Sequence, residues 1–358
     1  MSASEPSLQE VSRALDARRG ELAAAVTERQ FAARPELAER YGERGRHHCH
    51  KDAEYHLSYL ADAVASASPA LFADYVGWAQ VMLAARGIPA GDLENNLEIL
   101  RETLRRELPA GQAGIAGEYV EAGLRVLSGP ARPGEEAGPA DPLYDLSQRY
   151  MRALLDGQRH VASQLIQRSV EEGVSVRDVY LYVFQRTQHE IGRLWQTNQV
   201  SVAQEHYCTA ATQLIMSQLY PYIFNTGKNG RVLVATCVSG DLHEIGVRMV
   251  SDFFEMEGWD TFYLGASTPA PDLVRELVAR SADVLAVSAT MSFHVRAVAD
   301  LIAAVRSRLG DRVKVLVGGY PFNVDPDLWR RIGADGCARD AGEAIELASG
   351  LVGEGPRP

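Results

Sequence analysis

Two histidines in this chain stand where an imidazole could bind a metal. The first is His243, in the run Asp241-Leu242-His243-Glu244-Ile245-Gly246. An aspartate two residues earlier can hydrogen-bond one ring nitrogen, fix the tautomer and leave the other nitrogen to donate to a metal, as an axial ligand must. A solvated loop histidine fits the same six residues. The second is His206, in the pattern Trp195, nine intervening residues, then Glu205-His206. A flat indole, a carboxylate and an imidazole could meet over one bound ring, although each alone also fits core packing or helix capping. A third group is Tyr41 to Tyr59, YGERGRHHCHKDAEYHLSY, in which His47, His48, His50, His56 and Cys49 crowd together.

The elements that must carry these residues can be read from hydrophobic pattern. Arg231 to Cys237, Thr261 to Leu264, Asp283 to Ser288 and Lys314 to Val317 are short apolar runs of the kind a doubly covered parallel sheet needs. Ligands of such sheets bind outside the carboxyl ends of the strands. The loop with Asp241, His243 and Gly246 therefore points His243 into the ligand crevice, while Ser288-Ala289-Thr290 and Gly318-Gly319 follow the later strands. Ile245, Met249, Val250 and Phe253 then recur at helical spacing. Upstream, Leu143, Leu146, Tyr150 and Leu154, and later Val179, Tyr182, Val183 and Arg186, predict a bundle of four helices up to about Thr226. Gly173 reads as a turn and Gly192 as a close-packing position. A break from Asn198 to Ser201 ends one helix after Trp195 and starts the next before Glu205-His206.

Asp-x-His-x-x-Gly, Ser-x-Thr and Gly-Gly, each closing a successive strand, resemble the cobalamin-binding domain of corrinoid proteins over Arg231 to Gly353. That resemblance implies His243 as the lower cobalt ligand, in place of the cofactor's own dimethylbenzimidazole, and a slot for the nucleotide tail lined by Ser288, Thr290, Gly318 and Gly319. With Trp195, Glu205 and His206 upstream, the chain is also similar to the light-sensing cobalamin proteins of the CarH type. There Trp195 would pack on the adenosyl group of adenosylcobalamin, Glu205 would hydrogen-bond it, and His206 would take the upper cobalt position after light.

CarH-type regulators begin with a DNA-binding helix-turn-helix, and this chain does not. Its first 127 residues are helical by pattern and lack a basic recognition helix. With 358 residues and a formal charge of −11, no clustered basic face argues for nucleic acid. Four cysteines without CxxC spacing, no signal peptide and no long apolar span imply a cytoplasmic chain with no membrane segment. On a helix His48, Asp52 and His56 fall along one face, with Tyr55 and Tyr59 adjoining. Zinc, heme and bilin are all compatible with those types, as is a bare polar face. Arg44, Arg46 and Lys51 could pair with propionates, and Cys49 with a vinyl group. The whole domain order resembles the photocobilins, photoreceptors that bind cobalamin and biliverdin, which implies biliverdin at His47, His48, Asp52, Tyr55 and His56, held without a covalent bond.

The expected architecture is thus a multidomain α and α/β chain. It runs from an all-α bilin-binding domain of globin-like size (1–128) through a linker (129–142) and a four-helix-bundle cap (143–228) to a Rossmann-like parallel-sheet cobalamin domain (229–358). The expected function is a light sensor rather than an enzyme, signalling through a light-dependent homo-oligomer or a separate partner protein. The alternative is a corrinoid protein that carries methyl groups between methyltransferases, in which His206 has no duty; a third possibility is a stress sensor with heme in the first domain.

Overall fold

The structure, a computed structural model, describes residues 6–129, 140, 142–224 and 226–353. Most of the expected linker, 129–142, lies outside the described residues. The chain divides into two compact units, one gathering residues 1–132, 290–299 and 320–332 and the other the remainder.

In the first unit six helices follow one another: α1 (Leu8–Ala17), α2 (Arg19–Ala33), α3 (Glu36–Ala65), α4 (Pro69–Ala84), α5 (Ala90–Glu107) and α6 (Ala110–Leu127). Ser7 opens α1 with a reciprocal capping box to Glu10, and Pro69 occupies the first turn of α4. In α3 the helix is interrupted at Gly42, whose φ of 59° and ψ of −162° only glycine adopts without strain. Val11, Leu57, Leu60, Phe72, Val76, Leu97 and Leu104 are buried. Tyr59 stacks on Tyr75 with ring centroids 3.7 Å apart and meets Phe293 edge-on at 5.2 Å.

The second unit joins a bundle to a sheet. The bundle consists of α7 (Tyr144–Leu155), α8 (Arg159–Glu171), a continuous rod made of α9 (Val176–Asp178), a π-helical stretch (Val179–Gln185) and α10 (Arg186–Gln196), then α11 (Val202–Gln218) and the short α12 (Tyr220–Ile223). Gly173 turns the chain at φ 103° as expected. Gly192 does not close-pack: a Cβ there would meet nothing within 4 Å, so no neighbouring element demands a glycine.

The sheet strands are β1 (Val232–Cys237), β2 (Asp260–Tyr263), β3 (Val284–Ser288), β4 (Lys314–Gly318) and β5 (Gly336–Ala338). All pairings are parallel, in the order β2-β1-β3-β4-β5. The helices after the strands are α13 (Ile245–Met256), α14 (Ala270–Ala279), α15 (Val295–Leu309), α16 (Tyr320–Val324), α17 (Leu328–Arg331) and, last, α18 (Ala341–Val352), of which the start of α15 and all of α16 and α17 count with the first unit. The expected fold class holds: a helical amino-terminal region, a four-helix bundle and a parallel sheet.

Helix α13 explains how the bundle and sheet become one unit. Val247 and Phe254 enter the sheet core with Leu233, Ala235 and Trp259. Met249 and Phe253 enter the bundle core with Tyr180, Phe184 and Ile215. Truncating such a buried phenylalanine costs about 3–5 kcal/mol, so this helix, hydrophobic on two faces, is the joint of the unit.

Candidate functional site

With β2 on one side of β1 and β3 on the other, consecutive connections diverge at the carboxyl ends of β1 and β3, the switch point where open α/β sheets bind ligands. The loop after β1 sits there. Val238 N–H donates to Ser288 O at 3.0 Å, and Asp241 N–H donates back to Val238 O at 3.0 Å, with Gly240 at φ 90° completing the turn. From the neighbouring loop Ser267 N–H donates to Asp241 O at 3.1 Å, and Gly240 N–H to Ser267 Oγ at 3.0 Å. These bonds hold Asp241 fully buried.

Asp241 in turn sets His243. Its Oδ1 accepts the His243 backbone N–H at 3.0 Å and lies 2.7 Å from Nδ1 of the same ring. The carboxylate fixes Nδ1 as the protonated nitrogen, so Nε2 carries the lone pair. The Asp241 hydrogen bond raises the His243 pKa above the ordinary histidine value, burial opposes this, and the charges of Asp241 and Glu205 add to the rise. Glu205 is therefore close enough to His243 for its charge to be felt. The His243 side chain keeps 58% exposure, on a loop whose anchoring aspartate has none.

Ser288 and Gly318 are register partners on β3 and β4. Gly319 follows at φ 105°, and a Cβ there would stand 2.1 Å from the Ala289 carbonyl oxygen. Glycine is obligatory at that point. Thr290, two residues past Ser288, is half-buried. Gly246 is different: it is exposed, and a Cβ would project into open space. The protein's own packing does not require its glycine.

On the bundle, Trp195 is half-buried in the last turn of α10, and Glu205 and His206 lie in the first turns of α11. Ser201 starts α11 with a capping box to Gln204, so Glu205 is not consumed by capping. Its Oε2 is 2.5 Å from His206 Nδ1, and the His206 side chain is 75% exposed. The pair thus repeats the Asp241–His243 arrangement, a carboxylate on Nδ1 with Nε2 left over. Behind it runs a polar line that sequence reading missed. Thr209 Oγ1 lies 3.0 Å from Glu205 Oε1 and 3.1 Å from Gln188 Oε1, and its single proton serves one of them at a time. Gln188 Nε2 donates to Thr212 Oγ1 at 2.9 Å, and Thr212 meets the buried Tyr150 hydroxyl at 2.9 Å. Threonines inside a helix carry no signal that distinguishes such a line from ordinary packing.

The histidine-rich helix does not gather its residues at one place. His47 and His50 line an open cleft of about 290 Å³ with Ala24, Thr27, Glu28, Glu43 and Arg46, at the low end of ligand-sized pockets. His48 is exposed beside His47, and Tyr55 is 58% exposed. Burial raises the Asp52 pKa while His48 draws it down. His56 is buried, with Nδ1 2.8 Å from the Tyr75 hydroxyl, and burial lowers its pKa to about 4. It is a neutral core histidine. Cys49 lies 3.0 Å from Gln30 Oε1, and burial pushes its thiol up to about 11, which suppresses the thiolate needed for a thioether. Among the described residues no three His, Cys, Asp or Glu side chains form a metal cage; an axial ligand needs only one imidazole.

Comparison with known proteins finds cobalamin-binding relatives of both the bundle and the sheet. Residues 231–348 match a family model described as "B12 binding domain", and residues 146–220 match a second model with the same description. A corrinoid protein of Desulfitobacterium hafniense (strain Y51) is 26% identical over 219 residues, which is 59% of this chain and 100% of that protein. Dimethylamine corrinoid protein 3 of Methanosarcina mazei is 32% identical over 123 residues, 34% of this chain and 72% of that protein. The structure of the Methanosarcina barkeri monomethylamine corrinoid protein superposes with a TM-score of 0.53 at 22% identity, covering 58% of this chain and 99% of that one, a likeness of fold. Neither family model extends into residues 1–145.

Proposed function

The chain belongs to the corrinoid proteins, which bind cobalamin, and from that premise we propose that His243 Nε2 is the lower axial ligand of a corrinoid lying across the carboxyl edge of the sheet. The observation that carries this is the buried Asp241 holding the exposed His243 ring by Nδ1 at the switch point. The residues present suit the group. Gly246 leaves open space beside the ligand, and Gly319 has room for no side chain at the end of β4, where the nucleotide tail would run past Ser288 and Thr290. When bound, cobalamin would supply a cobalt able to take up and release an alkyl group.

For the use made of that chemistry, the relatives named for dimethylamine and monomethylamine support a carrier that passes methyl groups between separate methyltransferases. In that reading Asp241 governs how firmly His243 holds as the alkyl group comes and goes. A second reading is favoured by one specific observation: the bundle presents Glu205 and His206 in the same carboxylate-to-Nδ1 arrangement, with the ring largely exposed. An imidazole so prepared is suited to take the vacated upper position, with Trp195 packing on an adenosyl group beforehand, as a light-operated switch requires. That reading also includes biliverdin in the amino-terminal helices, although of the residues expected there only His47 lines the cleft beside Arg46 and His50.

One experiment separates them. The apoprotein is loaded with methylcobalamin or adenosylcobalamin, illuminated with green light, and its spectrum compared with that of His206→Ala. A photoproduct whose axial ligation depends on His206 establishes the switch; photoproducts identical in both proteins leave the carrier. In either case His243→Ala should abolish the imidazole-ligated spectrum in the dark.

A further inference from the structure

Glu244, immediately after His243, touches three parts of the second unit at once. Its Oε1 accepts from Gln213 Nε2 of α11 at 3.1 Å, and its Oε2 accepts from the Tyr263 hydroxyl at the end of β2 at 2.8 Å. Gly265 lies against the same carboxylate, leaving 3.3 Å between Oε2 and a Cβ at that position. Gln213 is held from its other side as well, because Arg248 Nη1 donates to its carbonyl at 3.1 Å while Arg248 Nη2 donates to Ser217 Oγ at 2.6 Å. Gln213 stands two helical turns, about 10 Å along the axis, from His206 on α11.

We propose that Glu244 is a positioning residue that couples the His243 loop to the bundle helix bearing Glu205 and His206. The inference rests on the reading of His243 as a corrinoid ligand. Glu244 has no freedom to shift with its loop while leaving α11 in place, because Tyr263 pins one oxygen to the sheet and Gln213 ties the other to α11. A displacement of His243 toward a bound group therefore strains the Gln213 bond as well as the Tyr263 bond. The carboxylate matters as a charged acceptor of two neutral donors, each bond stronger than a neutral pair would make.

The test uses the full chain. Glu244→Ala, Gln213→Ala and the double variant are compared by amide exchange of residues 202–213 in the apoprotein and by titration with aquocobalamin. Each single variant should speed exchange in that segment about 10-fold and raise the Kd for aquocobalamin by a similar factor. The double variant should go no further than Glu244→Ala, which already removes the Gln213 link together with the Tyr263 bond. Gln213 lies outside the His243 loop, so a weakened Kd in Gln213→Ala is a result that local loop damage cannot produce. Glu244→Gln, which keeps one acceptor oxygen, should restore part of both losses. Unchanged exchange in both single variants, or strictly additive effects, overturns the coupling. His243→Ala serves as the separate control: if it keeps the imidazole-ligated spectrum, the ligand reading falls, whatever Glu244 does.

Discussion

Replacing Asp241 tests the site at its most constrained point. In the folded protein Oδ1 of this buried carboxylate accepts two bonds from the same residue, the His243 N–H at 3.0 Å and the ring Nδ1 at 2.7 Å. Asp241→Ala removes both. The ring regains its rotamers, at about 0.5–1.5 kcal/mol to order it again on binding, and Nε2 loses the basicity that the carboxylate lends it. Changes of this kind behind a metal-bound histidine typically cost 10–100-fold in affinity, or about 1.4–2.8 kcal/mol. Asp241→Asn keeps an acceptor at Oδ1 without the charge, so its loss should fall near the lower end. The assay is titration of apoprotein with aquocobalamin, followed by reduction and paramagnetic resonance for the nitrogen splitting of an axial imidazole. An alanine variant that binds as tightly as the parent, with the splitting intact, would refute the claim that Asp241 prepares His243.

Three further outcomes follow from other parts of the fold. Tyr180→Phe deletes the hydroxyl that donates to buried Asp252 at 2.8 Å, and should cost about 1–3 kcal/mol in denaturant unfolding. Burial already raises the Asp252 pKa to about 6, above its unfolded value, so its contribution is fullest at low pH and declines as pH rises through 6; the variant's penalty should be larger at pH 8 than at pH 5. His56 has the opposite sign. Its folded pKa of about 4 lies below the ordinary histidine value of 6.5, so the helical unit loses stability as pH falls through that window, by an upper bound of about 3 kcal/mol, and His56→Gln should flatten the melting temperature against pH between 7 and 4. Gly319→Ala drives a Cβ to 2.1 Å from the Ala289 carbonyl at φ 105°, and should lower thermal stability and cobalamin affinity together; a variant that melts and binds like the parent removes the steric argument.

The sheet was legible because a strand covered on both faces is a nearly unbroken apolar run. Arg231 to Cys237, Asp283 to Ser288 and Lys314 to Val317 match β1, β3 and β4 to within one residue. Strand β5, three residues with no such run, was missed. The His243 loop was legible for a different reason: Asp241 and His243 meet through a local turn that depends on sequence distance alone. The polar joint between bundle and α13 was not. Tyr180, Arg248 and Asp252 meet only after two helices pack, and in the sequence each is one polar residue on a helix. Nor does the run Val179 to Gln185 announce its π-helical geometry, because the same residues suit an α-helix. The histidine cluster misled in the other direction. Shared spacing on α3 put His48, Asp52 and His56 in line, but burial changes along that line, and only the His56 end reaches the core.

The contacts of α13 are graded, and the grading locates any movement of the bundle. Toward its carboxyl end the joint is largely buried: Phe253 lies in the bundle core and Tyr180 bonds the buried Asp252, with the exposed Arg177–Glu257 pair at its margin. Toward its amino end, beside His243, Ile245 and Met249 still pack on the bundle core, but the Gln213–Glu244 bond and the Arg248 contacts to Gln213, Ser217 and Tyr220 carry more of the joint. Breaking the apolar end exposes aromatic surface at about 25 cal/mol per Å² and strands a buried carboxyl group. Water can replace the hydrogen bonds of the polar end at a net cost of about 1 kcal/mol each. A bundle that moves in response to the upper face must therefore pivot about Phe253 and open near His206. Amide exchange on loading or illumination should accordingly change in the first two turns of α11, while residues 179–185 stay protected. Equal changes at both ends would mean that the bundle leaves as a rigid body, and the graded joint would not be what guides it.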